Sequence, residues 1–237
     1  MGVDFTNPFP GNMKQNVESL QNVVCNLCGS SEIDLLSVID RKGKPLRTVI
    51  CKRCGLVYSN PRPVQEKTRE FYSQLYRVEY KHSYTPKTKH IHRAGQVAMG
   101  RYTAIEDLFQ SKTAVLDIGS GGGELVYLLR RLGHDARGVE PNEGYARYSA
   151  EEYGIPVQVG FIQDLTYAEG GFDVITMHHV LEHTEDPLGI LQRACGWLRL
   201  DGFLVIEVPN VEAVCQAPAQ RFHKAHQYNF KQQTLEA

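Results

Sequence analysis

The stretch Val115-Leu116-Asp117-Ile118-Gly119-Ser120-Gly121-Gly122-Gly123-Glu124 constrains the fold of this chain more than any other. An apolar run ends in an acid, turns through a glycine-dense loop and opens onto a helical pattern. Glycines at such a turn let backbone approach a ligand closely, and the first turn of the following helix offers N–H groups that have no partner inside the helix. A nicotinamide fingerprint, G-x-G-x-x-G, fails in both registers. Counted from Gly119 its last glycine falls on Glu124, and counted from Gly121 it falls on Val126. Asp117, two residues before the first glycine, suits a cationic ligand better than a pyrophosphate.

From Thr113 onward strands and helices alternate. Apolar runs at Ala114–Ile118, Ala136–Val139, Val157–Val159, Phe172–Met177 and Phe203–Val208 read as strands. Helical spacing marks Glu124–Leu132, Glu143–Tyr153 and Pro187–Leu198 between them, and the link from the third strand to the fourth reads as a loop. Mostly apolar strands separated by helices imply a parallel sheet covered on both faces. Right-handed crossovers make it an α/β, doubly wound, Rossmann-like sheet.

With Asp117, Gly119, Gly121 and Gly123 in the pattern acid-x-G-x-G-x-G, this segment resembles the first motif of the class I S-adenosylmethionine-dependent methyltransferases. The resemblance implies that the loop wraps the methionine part of S-adenosylmethionine, with Asp117 near its amino group. A second signature of that family is an acid ending the second strand and taking both ribose hydroxyls. Glu140 in Gly138-Val139-Glu140-Pro141-Asn142 fits it, since a carboxylate can accept from a vicinal diol. After the third strand the family often has Gly-Asp. Here Phe161 follows Gly160, so apolar contact, a backbone N–H or Asp164 is expected to hold the adenine.

The fourth strand runs into Met177-His178-His179-Val180-Leu181-Glu182-His183. This resembles the LEH signature of a methyltransferase subfamily that also carries segments like Gly55–Pro63 and Val208–Asn210. His178 or His179 is the candidate catalytic base. Methyl transfer from an activated sulfonium depends mainly on in-line alignment, so either histidine could instead orient the acceptor. His183, His226 and Tyr228 are the substrate-side candidates, the last two by resemblance to a subfamily stretch placed over the acceptor site. Asp186 before Pro187 reads as a helix N-cap. His179-x-x-Glu182-His183 also matches an inverted zincin pattern, but the strand exit is the wrong context for that protease fold. A divalent ion on Glu182 and His183 that positions a substrate is a further reading. The resemblance further implies two more edge strands, so the sheet is expected to run 3-2-1-4-5 with its last two strands missing. Either the chain is a fragment or the fold stops at five strands, and an uncovered fifth strand is then an open edge available for self-association.

Two knuckles, Cys25-Asn26-Leu27-Cys28-Gly29 and Cys51-Lys52-Arg53-Cys54-Gly55, precede this domain. A Cys-x-x-Cys turn points two thiolates at one spot, and two such turns complete a tetrahedral, closed zinc site. The expected metal ligands are Cys25, Cys28, Cys51 and Cys54 in a small N-terminal zinc ribbon, structural because sulfur fills every position. Arg41, Lys42, Lys44, Arg47, Lys52 and Arg53 lie around it without the interleaved aromatics that stack bases.

The expected division is a tail over 1–22, the ribbon over 23–60, a helical linker or lid over 61–110 and the S-adenosylmethionine domain over 111–237. Within the linker, Val64–Tyr80 is predicted as a helix with Phe71, Tyr72 and Leu75 on one face, and His90–Phe109 as another. A formal net charge of -1 gives no global drive toward nucleic acid or anionic membrane. No apolar run is long enough to span a bilayer, no secretory signal opens the chain, and paired cysteines of metal type point to a reducing, cytoplasmic setting. The expected function is methyl transfer to a small-molecule acceptor, a sugar, polysaccharide precursor or secondary metabolite. RNA methylation and non-catalytic binding of cofactor or partner are the alternatives.

Overall fold

The computed structural model describes residues 20–75, 85–214 and 221–237. Most of the expected tail and residues 76–80 of the first expected helix lie outside them. In chain order, β1 (Leu20–Gln21) pairs antiparallel with β5 (Arg62–Pro63). Between them, β2 (Ile33–Ile39), β3 (Pro45–Cys51) and β4 (Val57–Ser59) form an antiparallel sheet that carries the cysteine knuckles at its end. Helix α1 (Gln65–Glu70) continues into a π-helical turn, Phe71–Leu75. Such turns are rare and are frequent at functional sites. Helix α2 (Thr88–Ile105) ends in a 3-10 turn, Glu106–Leu108, close to the predicted boundary at Phe109.

The second sheet holds β6 (Ala114–Ile118), β7 (Asp135–Glu140), β8 (Val157–Val159), β9 (Phe172–His178) and β10 (Leu198–Glu207). All four pairings are parallel and the order is β8-β7-β6-β9-β10, the predicted 3-2-1-4-5. Strand β10 begins five residues before the predicted Phe203. Leu198 pairs with Phe172, the chain turns at Asp201 with φ 65, and pairing resumes at Phe203.

Helices α3 (Glu124–Arg131), α4 (Glu143–Tyr153) and α5 (Pro187–Trp197) cover the sheet. Their limits follow from capping chemistry. Asn142 accepts from the Tyr145 N–H at 3.0 Å, and Gly154 closes α4 in the left-handed region. Asp186 accepts from the Gly189 N–H at 3.0 Å with Pro187 in the first turn, as its sequence position implies.

Strand alternation sorts the core onto two faces. Val115 and Val174 pack with Leu125, Val126, Leu129 and Ala98 of α2 and α3. Leu116, Ile118, Ile175 and Met177 face the other way and share one continuous core with Cys25, Val49, Leu56 and Tyr58 of the ribbon. The ribbon is therefore built into the domain. Its sheet gains a fourth strand from the far end of the chain, β11 (Tyr228–Asn229), which pairs antiparallel with β4. Arg62 Nη1 donates to the Tyr228 hydroxyl at 2.7 Å, and Asn26 Nδ2 donates to the Asp186 carboxylate at 2.8 Å. A short α6 (Gln232–Leu235) follows β11.

Candidate active site

A cavity of about 480 Å³ opens at the C-terminal ends of β6, β7 and β9. This is where parallel α/β sheets place ligands. Its floor is the glycine loop. The N–H groups of Gly119 and Ser120 both donate to the Val139 carbonyl, at 2.8 and 2.9 Å. That double bond to the neighbouring strand folds the loop under the cavity. Gly119 and Gly121 hold φ of 74 and 59, in the left-handed region that side-chain-bearing residues resist. A Cβ on Gly119 would also run into the Val180 side chain.

Glu140 ends β7, is 2 % exposed and lines the cavity. Its Oε2 accepts from the Gly121 N–H at 2.9 Å and its Oε1 from the Asn142 N–H at 3.0 Å. Two backbone donors on either side thus fix the carboxylate plane. These two bonds orient Glu140 in the wall of the cavity that it lines.

Asp117 lies one layer deeper. It is 4 % exposed, does not line the cavity, and accepts from the Thr176 hydroxyl at 2.7 Å. The two residues are register partners on β6 and β9 and point to the same face. Its other neighbour is His178, whose Nδ1 lies 3.7 Å from Asp117 Oδ1. His178 is at the end of β9 and lines the cavity.

His179 follows with φ 56, which turns the chain sharply out of the strand. Its Nδ1 lies 3.3 Å from Glu182 Oε1 and its Nε2 2.8 Å from Glu207 Oε1. Arg101 on α2 grips Glu207 from the other side, Nε to Oε2 at 2.9 Å and Nη2 to Oε1 at 3.1 Å. The hydrogen bond with Glu182 raises the His179 pKa, and the one with Arg101 lowers that of Glu207. His179 is thereby held as a cation between two carboxylates, an arrangement suited to locking the strand exit and unsuited to taking a proton. His178, one residue back, has Asp117 at 3.7 Å as its carboxylate neighbour among the described residues.

Leu181–His183 form a 3-10 turn, not the first helix of a zincin. His183 lines the cavity, with Nδ1 2.8 Å from the Ala225 carbonyl and 3.1 Å from the Tyr72 hydroxyl. His226 is outside the lining and meets His183 edge to face, ring centres 5.0 Å apart. Burial pushes the His226 imidazole down to about 2 and that of His223 down to about 4, so both are neutral.

Several expected site residues stand elsewhere. Asp164 carries an exposed carboxylate bound to Arg69 at 2.9 Å, and the cavity wall there is Gly160, Phe161, Ile162 and Gln163 instead. Gly123 is outside the lining and has a packing role, since a Cβ would lie 2.5 Å from Ile155 Cδ1 and 2.8 Å from Ser149 Oγ. Tyr228 is 1 % exposed inside the ribbon seam, where its hydroxyl accepts from Arg62 and donates to the Glu185 carbonyl at 3.0 Å. The cavity also has walls that sequence reading passed over. Arg101 and His90 come from α2, Tyr72 from the π turn and Tyr145 from α4. Only the chain's three-dimensional path brings them there.

The four knuckle cysteines gather as their spacing predicts. Sγ of Cys25 lies 3.4 Å from that of Cys54, and Sγ of Cys28 lies 3.6 Å from that of Cys51. Tetrahedral zinc with Zn–S of about 2.3 Å needs sulfurs about 3.8 Å apart, so the donor set fits with small adjustments. The N–H groups of Gly29 and Gly55 turn back to the carbonyls of Cys25 and Cys51, the same hairpin beneath each pair.

Comparison with known proteins places these features in a family. The methyltransferase domain family matches residues 90–236. A ubiquinone biosynthesis O-methyltransferase of Actinobacillus pleuropneumoniae is 40% identical over 108 residues, covering 40% of this chain and 45% of the relative. A protein of the same name from Pectobacterium carotovorum is 33% identical over 135 residues, covering 53% of this chain and 54% of its own. The chain thus spans about half the length of the curated relatives it matches. A SAM-dependent methyltransferase from Archaeoglobus fulgidus shares the fold, with TM-score 0.53 at 20% identity over 70% of this chain and 71% of that one. With its family match running over the sheet, the glycine loop and the cavity walls, this chain belongs to the methyltransferase domain family.

Proposed function

We propose that the cavity binds S-adenosylmethionine and that the protein transfers its methyl group to a hydroxylated small molecule of the sugar, polysaccharide-precursor or secondary-metabolite kind. The observation that carries this reading is the Glu140 carboxylate, oriented by the Gly121 and Asn142 N–H groups at the floor of a cavity whose far wall holds His178. Glu140 would take the ribose hydroxyls, and Phe161 and Ile162 would sandwich the adenine in place of Asp164. The glycine loop would carry the methionine end. Asp117 would act from beneath, setting the loop through Thr176 and His178, not by direct contact.

The cofactor supplies a methyl group already activated on sulfonium. The chain has to align an acceptor with it, exclude water and receive a proton. With S-adenosylmethionine bound, the acceptor oxygen would take the methyl group as the sulfonium C–S bond breaks to a neutral thioether, and the chain would supply the base that receives the acceptor proton. His178 is that base in this reading, because His179 is already committed to two carboxylates. Glu185 and Thr184 line the same wall and would contact acceptor hydroxyls. The cysteine cluster would hold a structural Zn2+ that fixes the ribbon.

The test is release of S-adenosylhomocysteine from S-adenosylmethionine in the presence of nucleotide-linked sugars, phenols and a short RNA in separate reactions. Turnover with a small hydroxylated acceptor, reduced at least tenfold in His178→Ala, is expected. Turnover on RNA alone, or undiminished turnover in the variant, would overturn the acceptor class or the assigned base.

A further inference from the structure

Glu182 is 1 % exposed, and its Oε2 has no hydrogen-bond partner among the described residues. His179 Nδ1 partners Oε1 at 3.3 Å, which leaves Oε2 as the buried carboxylate oxygen without a donor, a costly state that a bound cation would relieve. Two imidazoles supply the rest of a ligand set. Glu182, His183 and His226 each place one donor atom so that all three lie within 4.8 Å of one another.

The orientation of His183 favours an ion over a plain hydrogen bond. Its Nδ1 faces the Ala225 carbonyl at 2.8 Å, an acceptor, so Nδ1 carries the proton. The opposite nitrogen, Nε2, then presents its lone pair 3.8 Å from Glu182 Oε1. That oxygen already has His179 Nδ1 at 3.3 Å on its other side, and a cation seated beside Nε2 would be shared between the imidazole and the rest of the carboxylate. Metal-bound histidines are typically fixed in this way, by a carbonyl on the other ring nitrogen. The frame is stapled as well. The Gln227 N–H donates to the Glu182 carbonyl at 2.8 Å, tying the 3-10 turn to the segment that carries His226. His226 itself is backed by a stacked His223, ring centres 4.9 Å apart.

We propose that Glu182, His183 and His226 form a second metal site, distinct from the cysteine cluster, for one divalent first-row transition ion. Two imidazoles and a carboxylate are a set that Zn2+ accepts with a fourth position open. Of the three ligands His183 lines the cavity, so the cavity is the side from which a further ligand would reach the ion. There the ion would bind an acceptor oxygen and lower its pKa, as bound metals do for water. That role rests on the methyl-transfer reading, and the ion site does not.

The experiment is zinc content per chain after equilibrium dialysis at buffered free zinc, for wild type and for Glu182→Gln, His183→Ala and His226→Ala. Folding is followed by circular dichroism and S-adenosylhomocysteine binding by calorimetry. Two equivalents in wild type and one in each folded variant is the expected result. Cobalt loading gives a check that needs no variant. The first equivalent shows thiolate charge-transfer absorption and the second adds none. One equivalent in folded wild type, two in the variants, or thiolate absorption from both cobalt ions would overturn the site. Two equivalents without S-adenosylhomocysteine binding would support the ion site and sink the methyl-transfer reading instead.

Discussion

If the cysteine cluster holds zinc as proposed, stripping it should loosen the side of the cavity next to residues 226–230, the proposed acceptor end, more than the glycine-loop side. The perturbation is Cys54→Ser, with a competing chelator. Structural zinc contributes about 10–16 kcal/mol to small zinc modules, as much as a whole domain's stability, so the knuckles should open. Strand β4 then loses its order, and with it the pairing of Tyr58 with Tyr228 and of Val57 with Asn229. Tyr228 is the anchor of that segment. Its burial is worth about 2 kcal/mol, and its bonds to Arg62 and to the Glu185 carbonyl about 1 kcal/mol each. Losing about 4 kcal/mol of local anchoring corresponds to roughly a thousandfold more frequent opening. Amide hydrogen exchange reads this directly. Residues 226–230 should lose about three orders of magnitude of protection, while β6 and β7 keep theirs. Exchange confined to residues 25–57, with 226–230 still protected, would refute the idea that the ribbon braces the acceptor end.

Three further outcomes follow from individual contacts. Thr176→Val removes the hydroxyl that serves buried Asp117 and should cost about 1–3 kcal/mol in urea unfolding, whereas a loss under 0.5 kcal/mol would mean that Asp117 does not depend on it. Asp186→Ala removes both the α5 cap and the acceptor of the Asn26 amide, and should cost about 1 kcal/mol or somewhat more by the same assay; an unchanged midpoint would contradict the capping assignment. Glu207→Gln tests the Arg101–Glu207–His179 cluster by pH. Because the folded pKa of Glu207 lies below 4.5, its contribution is present above that value and lost as pH falls through the depressed one. The Tm difference between wild type and variant should therefore be largest near neutrality and shrink below pH 4.5, and a difference independent of pH would rule out the ion pairing.

The sheet was legible because its signals are local. Ala114–Ile118, Phe172–Met177 and the helices that open at Glu124, Glu143 and Pro187 declare themselves by period, and Asn142, Gly154 and Asp186 mark helix limits by capping chemistry. The cysteine cluster is legible for the same reason, since each knuckle is four residues long. Gly119, Gly121, Glu140, His178, His179 and His183 do converge on one cavity. What could not be read is what depends on distant partners. Arg101 reaches Glu207 across 106 positions and turns His179 from a candidate base into a paired cation. Arg62 reaches Tyr228 across 166 and holds that tyrosine in the ribbon seam, outside the cavity lining. Asp164 sits next to the expected position, yet Arg69 holds it at the surface. Gly123 satisfies the motif as written, but its space is used by Ile155 and Ser149 of the neighbouring elements.

Whether Glu140 and the glycine loop form a cofactor site is decided by calorimetric titration of the zinc-loaded protein with S-adenosylhomocysteine, with Glu140→Ala in parallel. One site per chain is expected in wild type. Binding should be weaker by roughly a hundredfold or more in the variant, which loses two hydrogen bonds to a charged acceptor worth about 1.5–3 kcal/mol each. No binding by folded wild type, or equal binding by both proteins, would contradict the site.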